Sequence, residues 1–316
     1  MIAGLLFIAA FLVAYTNGAN ANFKGVASLY GSGTTTLRQA LHWGTITTFA
    51  GSLCAIFLAE GLLKSFSGRG LVPDALVQSQ GFLFSVALGA ALTSLLATKL
   101  GFPVSTTHAL VGALVGAGLA GPRGEVHLGA LSRTFVQPLL FSPVIAVAAG
   151  ALVYVVLRGC RWAPHHRTRT LDAAHYLSAG AASFARGLND TPKIAALLVA
   201  LKGIDPKWSF IAVAMIMAIG ALIDADRVAE TLGKKVTDMD PGQGFAANVA
   251  TAGLVITASF HSLPVSTTHV SVGALLGIGI TTRQAKWRSV GQIMLCWIVT
   301  LPCAAALAGG TYLLVR

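Results

Sequence analysis

Long uncharged runs alternate with short polar gaps along the whole chain, at 1 to 23, 39 to 59, 75 to 98, 100 to 122, 134 to 157, 241 to 282 and 289 to 315. A helix needs about 20 residues to cross the roughly 30 Å hydrocarbon core of a bilayer, so each run is long enough to predict at least one membrane helix. The run from 241 to 282 is too long for one span and predicts a helical hairpin. Further apolar stretches, Ala173 to Ala185 and Phe210 through Ile223, bring the expected total to about 10–12 membrane segments. A closed barrel would instead show short segments of alternating polarity, so the predicted class is an all-α polytopic membrane protein.

Two kinds of polar sequence interrupt this pattern, and each occurs twice. The hexapeptide Pro-Val-Ser-Thr-Thr-His stands at 103–108 and again at 264–269, half a chain further on. Gly18-Ala19-Asn20 followed by Lys24 reappears as Gly187-Leu188-Asn189 followed by Lys193, at nearly the same separation. Both motifs recur in the same order, which points to internal duplication. The expected organisation is a first membrane repeat over 1–157, a basic linker over 158–171 and a second membrane repeat over 172–316. Five segments in the first half, an odd number, would make the two repeats inverted, and inverted repeats with broken helices are a secondary-transporter architecture.

Local chemistry predicts where the helices break. Asn and Gly are poor helix formers, so the first helix is expected to break within Thr16 to Gly25, and Arg186 to Lys193 to form a second interruption. Pro suits the first turn of a helix and Ser or Thr its N-cap; each hexapeptide is therefore expected to open a helix at membrane depth, at the tip of a re-entrant hairpin.

Composition agrees with the pattern and narrows it. Hydrophobic residues make up 55% of the chain and charged ones 10%, with mean hydropathy +0.74; soluble domains carry about 25% charged residues. The net charge of +11 is scattered through polar gaps with no basic stripe, which argues against nucleic acid. Arg158, Arg161, Arg167 and Arg169, with His165 and His166, place the linker in the cytoplasm by the positive-inside rule. The apolar start, Ile2 to Val13, has no basic region before it, so a retained first helix is expected rather than a cleaved signal. Cys54, Cys160, Cys296 and Cys303 show no CxxC spacing, and neither a disulfide nor a metal role is expected. No GxxxxGK[ST] loop is present, so transport driven by ATP binding in this chain is not expected.

Candidate ligand groups follow from these motifs. A helix N-terminus presents unpaired N–H groups and about half a positive charge, a ready anion site. Ser105, Thr106 and Thr107, with Ser266, Thr267 and Thr268, add hydroxyl donors, and two such termini meeting would suit a tetrahedral oxyanion. The plainer alternative is that these hydroxyls bond back to carbonyls of their own helices. Asp190, an acid inside an apolar region, is a functional candidate because a buried carboxylate is costly in a membrane; it could ligate a cation, carry a proton, or form a salt bridge with Arg186 or Lys193 at the membrane edge. Lys24 and Lys193 could balance an anion or snorkel to the interface. His108 and His269 could titrate near neutrality, but the simpler role is that of hydrogen-bonded helix members. An enzyme would need a nucleophile with its base, or a metal cluster, and the few intramembrane acids supply neither.

At these residues the chain resembles the inorganic phosphate transporter family often called PiT, whose members carry a GAND-type signature in each half followed by PVSTTH. The resemblance covers nearly the whole chain. It implies a symporter of phosphate with sodium or protons in the cell (inner or plasma) membrane, working by alternating access, without a resident cofactor or metal, and possibly as a homodimer. Carried over by position, Asn20, Asn189 and Asp190 are implied as ion and phosphate residues, and the two Ser-Thr-Thr runs as the hydroxyl cradle. One departure stands out: Ala21 occupies the place of the Asp that usually follows Asn in the first signature. That leaves open proton against sodium coupling, and sulfate or a metal–phosphate complex as cargo.

Overall fold

The computed structural model describes residues 2–122, 124–199 and 205–316, and in that range the chain forms fifteen α-helices and no strand pairing beyond two isolated bridges. In order they are α1 (Ile2–Ala21), α2 (Ala27–Gly31), α3 (Leu37–Leu58), α4 (Glu60–Ser65), α5 (Asp74–Val77), α6 (Gln80–Lys99), α7 (Thr106–Leu119) and α8 (Leu128–Leu131). They continue with α9 (Gln137–Gly159), α10 (Arg169–Val199), α11 (Pro206–Asp224), α12 (Asp226–Lys234), α13 (Pro241–Phe260), α14 (Thr267–Thr281) and α15 (Trp287–Val315). The expected apolar run toward Phe210 crosses 200–204, which lie outside the described residues, as do Met1 and Arg123.

Six helical stretches are long and apolar enough to span a bilayer: Ile2–Gly25, Leu37–Leu58, Gln80–Lys99, Leu128–Gly159, Pro206–Asp224 and Trp287–Val315. Apolar side chains face outward along them, among them Phe57 (79% exposed), Ile298 (70%) and Leu140 (64%), as a lipid-facing surface requires. The protein is a multi-pass membrane protein. Helices α7 and α14 are apolar but short, and both are almost wholly buried. The interior helix α10 carries the charges of Arg186, Asp190 and Lys193, all buried, and is shielded from lipid by neighbours on several sides.

The two halves interlock. Helix α3 of the first half packs along α10 of the second, and α11 of the second along α1 of the first; in the same way α15 lies on α7, and α9 on α14. Each hairpin also packs beside the signature helix of its own half, α6 on α1 and α13 on α10. Close approach explains the signature glycines: a Cβ on Gly18 would overlap the Met217 carbonyl on α11, and one on Gly187 the Thr48 carbonyl on α3. A side chain at either position would force those helices apart.

The first helix breaks inside the window expected from the sequence, Thr16 to Gly25, and the second expected interruption does not form. The first signature stays α-helical to Ala21 and only then tightens into a 3-10 turn, Asn22–Gly25. The second is not interrupted: α10 runs for 31 residues straight through Asn189, Asp190 and Pro192. Its environment overrides the local proline signal, because α10 is gripped by both α3 and α13. The charged loop expected over Asp224 to Asp240 contains α12. The linker is tied down by Arg167, which donates to the Thr34 carbonyl (2.8 Å) and pairs with Asp172, and by His165 beside Asp240 at 2.7 Å.

Candidate functional site

Each hexapeptide is an unwound segment leading into a buried helix, 102–105 before α7 and 263–266 before α14. The turn out of the preceding helix uses a left-handed residue in both copies, Gly101 (φ 77°) and Ser262 (φ 56°). Glycine adopts this conformation freely, whereas Ser262 is strained there. Ser105 caps α7 by accepting from the His108 backbone N–H at 3.1 Å, and Ser266 caps α14 through His269 at 3.2 Å. The two prolines stand two residues before the caps instead of in the first helical turn as expected, where they stiffen the extended entry.

The two helix starts meet, and the hydroxyls after the caps are exchanged between halves. Thr107 Oγ1 donates to the Val265 carbonyl (3.2 Å), and Thr268 Oγ1 to the Val104 carbonyl (2.8 Å). The same two carbonyls each take an ammonium from their own half: Lys24 Nζ donates to Val104 O at 2.8 Å and Lys193 Nζ to Val265 O at 2.9 Å. Of the two roles left open for the lysines, snorkelling to the interface is set aside, since Lys24 and Lys193 are 4% and 0% exposed. Packing leaves them no route to the interface. The back-bonding alternative for the threonines is also set aside: Thr106, Thr107, Thr267 and Thr268 all make contacts across the site.

Asp190 lies at the centre of this cluster. Its Oδ1 receives Lys193 Nζ at 3.0 Å; its Oδ2 receives Thr267 Oγ1 at 3.2 Å and Asn17 Nδ2 at 3.3 Å, with Arg186 Nε 3.7 Å away. Both salt bridges considered from the sequence form, but in the buried interior and not at a membrane edge. Asn17 also donates to Thr106 Oγ1 (2.8 Å), and its own Oδ1 accepts from Arg186. Lys193 further donates to Thr107 Oγ1 at 2.9 Å and lies 5.8 Å from the Phe66 ring. Three buried cations, Lys24, Arg186 and Lys193, thus face one buried carboxylate, a formal surplus of two positive charges at low dielectric. A formal surplus of this sign suits an anionic ligand.

The two signature asparagines sit beside this cluster and hold the hairpins. Asn20 donates to Thr98 Oγ1 (3.0 Å) and the Phe102 carbonyl (2.9 Å), and its Oδ1 accepts the Val104 N–H (2.9 Å). Asn189 donates to Ser259 Oγ at 2.9 Å, but its buried Oδ1 has no partner among the described residues. His108 and His269 meet ring to ring, centroids 4.7 Å apart, and His269 Nδ1 lies 3.1 Å from the Leu139 carbonyl. They pack α7 against α14.

Sequence reasoning missed Asn17 and gave Arg186 only a salt-bridge role. The signal was available: Asn17 and Arg186 stand as far apart along the chain as Asn20 and Asn189, and each directly precedes a signature glycine. Among the described residues no group of three or more His, Cys, Asp or Glu side chains could hold a metal, and all four cysteines are free.

The sequence pattern that defines the phosphate transporter family matches residues 17–308. The chain belongs to that family. Relatives described as probable low-affinity inorganic phosphate transporters include one from Rhizobium meliloti, 29% identical over 99% of this chain and 96% of its own length. Another, from Mycobacterium bovis, is 29% identical over 99% of this chain and 77% of its own. A putative phosphate permease of Pyrococcus horikoshii is 26% identical, covering 96% and 95% of the two chains. A solved structure described as the sodium-dependent phosphate transporter superposes with a TM-score of 0.86 at 22% identity, covering 99% of this chain and 98% of the other. That likeness establishes the shared fold. These relatives are transporters, not enzymes.

Proposed function

We propose that the protein is a secondary active symporter of inorganic phosphate, driven by a proton or sodium gradient and working by alternating access between two inverted repeats, 1–157 and 172–316, joined by the linker 158–171. The observation that carries this reading is the meeting of two N-capped helix starts around three buried cations and a single carboxylate, in a chain of the phosphate transporter family. Phosphate would take its place among Lys24, Lys193 and the hydroxyls of Thr106, Thr107, Thr267 and Thr268, with the α7 and α14 N-termini adding partial positive charge. Ser105 and Ser266 would serve by holding those termini open, since their hydroxyls are engaged as caps. Asn20 and Asn189 would set the hairpin positions on either side, and Asp190, surrounded by donors, is the group whose charge state or pairing changes during coupling. No resident cofactor is required. The cell membrane, with the basic linker on the cytoplasmic side, is the proposed location, and a homodimer the proposed assembly.

Sulfate is the second reading, and one observation favours it. Both Asp190 oxygens already accept hydrogen bonds, Oδ1 from Lys193 and Oδ2 from Thr267 and Asn17, which leaves one lone pair of Oδ1 for the P–OH proton that sulfate lacks and weakens the case for phosphate on this ground. Radiolabelled phosphate uptake into proteoliposomes, with proton and sodium gradients imposed separately, tests the main reading. Uptake above empty vesicles that unlabelled sulfate does not compete away is the expected result, and it should fall to background in Asp190→Asn. Absence of uptake under both gradients refutes symport, and full competition by sulfate transfers the cargo.

A further inference from the structure

In transporters built from broken helices, unwound backbone carbonyls at the break are the groups that hold a coupling sodium ion. Here one such carbonyl at the start of each of α7 and α14, Val104 O and Val265 O, is occupied by an ammonium of the chain itself, Lys24 at 2.8 Å and Lys193 at 2.9 Å. We propose that Lys24 and Lys193 are built-in cations standing where coupling sodium would bind, so that this protein moves phosphate without sodium. The inference rests on the symport reading above and narrows its driving ion.

Three further observations lead the same way. A sodium site needs several oxygen ligands, preferably with a carboxylate among them, and the oxygens nearby are committed. Asp190 is shared by Lys193, Thr267, Asn17 and Arg186. Asn20 Oδ1 is bound by the Val104 N–H. The position equivalent to Asp190 in the first half is Ala21, fully buried and without a ligand atom. Second, the cluster already carries three cations against one carboxylate, and each added cation at low dielectric raises the electrostatic cost. Third, the arrangement is crossed and two-fold: each carbonyl holds its own half's lysine and the other half's threonine. A chance contact would not be repeated with the same atoms in both halves. The buried side-chain oxygens left without a partner among the described residues include Asn189 Oδ1, Asn22 Oδ1, Ser94 Oγ and Ser183 Oγ, which are neutral amide and hydroxyl groups and supply no carboxylate.

The experiment replaces all sodium by choline on both sides of proteoliposomes holding the full-length protein, under an inward proton gradient, and follows radiolabelled phosphate. Wild-type uptake is expected to stay within about twofold of its value with sodium, whereas Lys24→Asn should lose about tenfold without sodium and recover when sodium is returned. Lys24→Arg keeps the cation and should remain independent of sodium. Wild-type uptake that collapses without sodium overturns the inference and leaves the symport reading standing, as does Lys24→Asn transporting normally in choline. A second measurement does not depend on the variant folding: equilibrium dialysis of the purified wild type against radiolabelled sodium. No saturable binding, with or without phosphate, is expected. Saturable binding overturns the inference even if no phosphate uptake is seen, whereas failed uptake alone overturns only the symport reading.

Discussion

Around Val104 and around Val265 the backbone is nearly the same: a helix end, a left-handed residue, an extended Pro-Val entry, a serine cap and a lysine on the valine carbonyl. What faces these two turns from the signature helices differs. The first half presents Asn17, Asn20 and Ala21, polar or small and uncharged; the second presents Arg186, Asn189 and Asp190. The first half uses Asn20 to clamp both sides of its hairpin through backbone groups, while the second concentrates the charge and leaves Asn189 half satisfied. The two motif copies thus share the scaffold that positions the carbonyls and hydroxyls, whereas the acid and its extra cation stand on one side only. A site with one carboxylate can be held symmetrically by backbone while being electrostatically one-sided.

The largest test of that contrast is Asp190→Ala, which leaves Arg186 and Lys193 buried without their counter-charge. A loss of about 3–5 kcal/mol is expected, read as a lowered unfolding temperature in detergent by intrinsic fluorescence. Arg186→Asn combined with Asp190→Ala converts the second half to the Asn17 and Ala21 pattern of the first and should recover part of that loss, because the surplus cation leaves with the carboxylate. No recovery would mean that the charge asymmetry is not what separates the halves.

Next in size is the asparagine pair. Asn20→Ala strips a partner from the buried Val104 N–H and the Phe102 carbonyl and should destabilise by about 1–3 kcal/mol. Asn189→Ala removes one hydrogen bond together with an already orphaned oxygen and should lose about 1 kcal/mol or less. Equal losses in thermal unfolding would contradict the clamp assigned to Asn20. The glycines Gly18 and Gly187 test the shared part: Gly→Val at either should destabilise by about 1–3 kcal/mol through overpacking, to a similar degree in the two halves. The smallest effect is at one of the crossed hydroxyls. Thr268→Val should lose about 1 kcal/mol, and Thr107→Val about 1–3 kcal/mol because its hydroxyl also accepts from the buried Lys193 ammonium; no loss at Thr268 would break the two-fold relation at the carbonyls.

Much of the fold was legible because its signals are local. The span expected at 39 to 59 is α3, Leu37–Leu58, and the final one at 289 to 315 is α15, Trp287–Val315. The hairpin expected in 241 to 282 is α13 and α14 joined through the second hexapeptide. Serine capping was readable because a cap bonds only two or three positions along the chain. The continuity of α10 through Pro192 was not, since it depends on α3 and α13 enclosing the helix. Nor was the partner of each lysine, because Lys24 and Val104 are 80 residues apart.

By itself the sequence determined that the chain is a helical membrane protein in which a hydroxyl motif at helix starts occurs twice, and, through motif resemblance, its family. Hydropathy, capping chemistry and the recurrence of a hexapeptide half a chain later are all properties of a linear chain. Tertiary structure alone decided which groups share the site: that Lys24 and Lys193 turn inward onto broken-backbone carbonyls, that Thr107 and Thr268 cross between halves, and that Arg186 and Asn17 join Asp190. These choices arise where interlocked helices remove every alternative partner from a buried charge, and a buried charge must bond to whatever the packing leaves within reach.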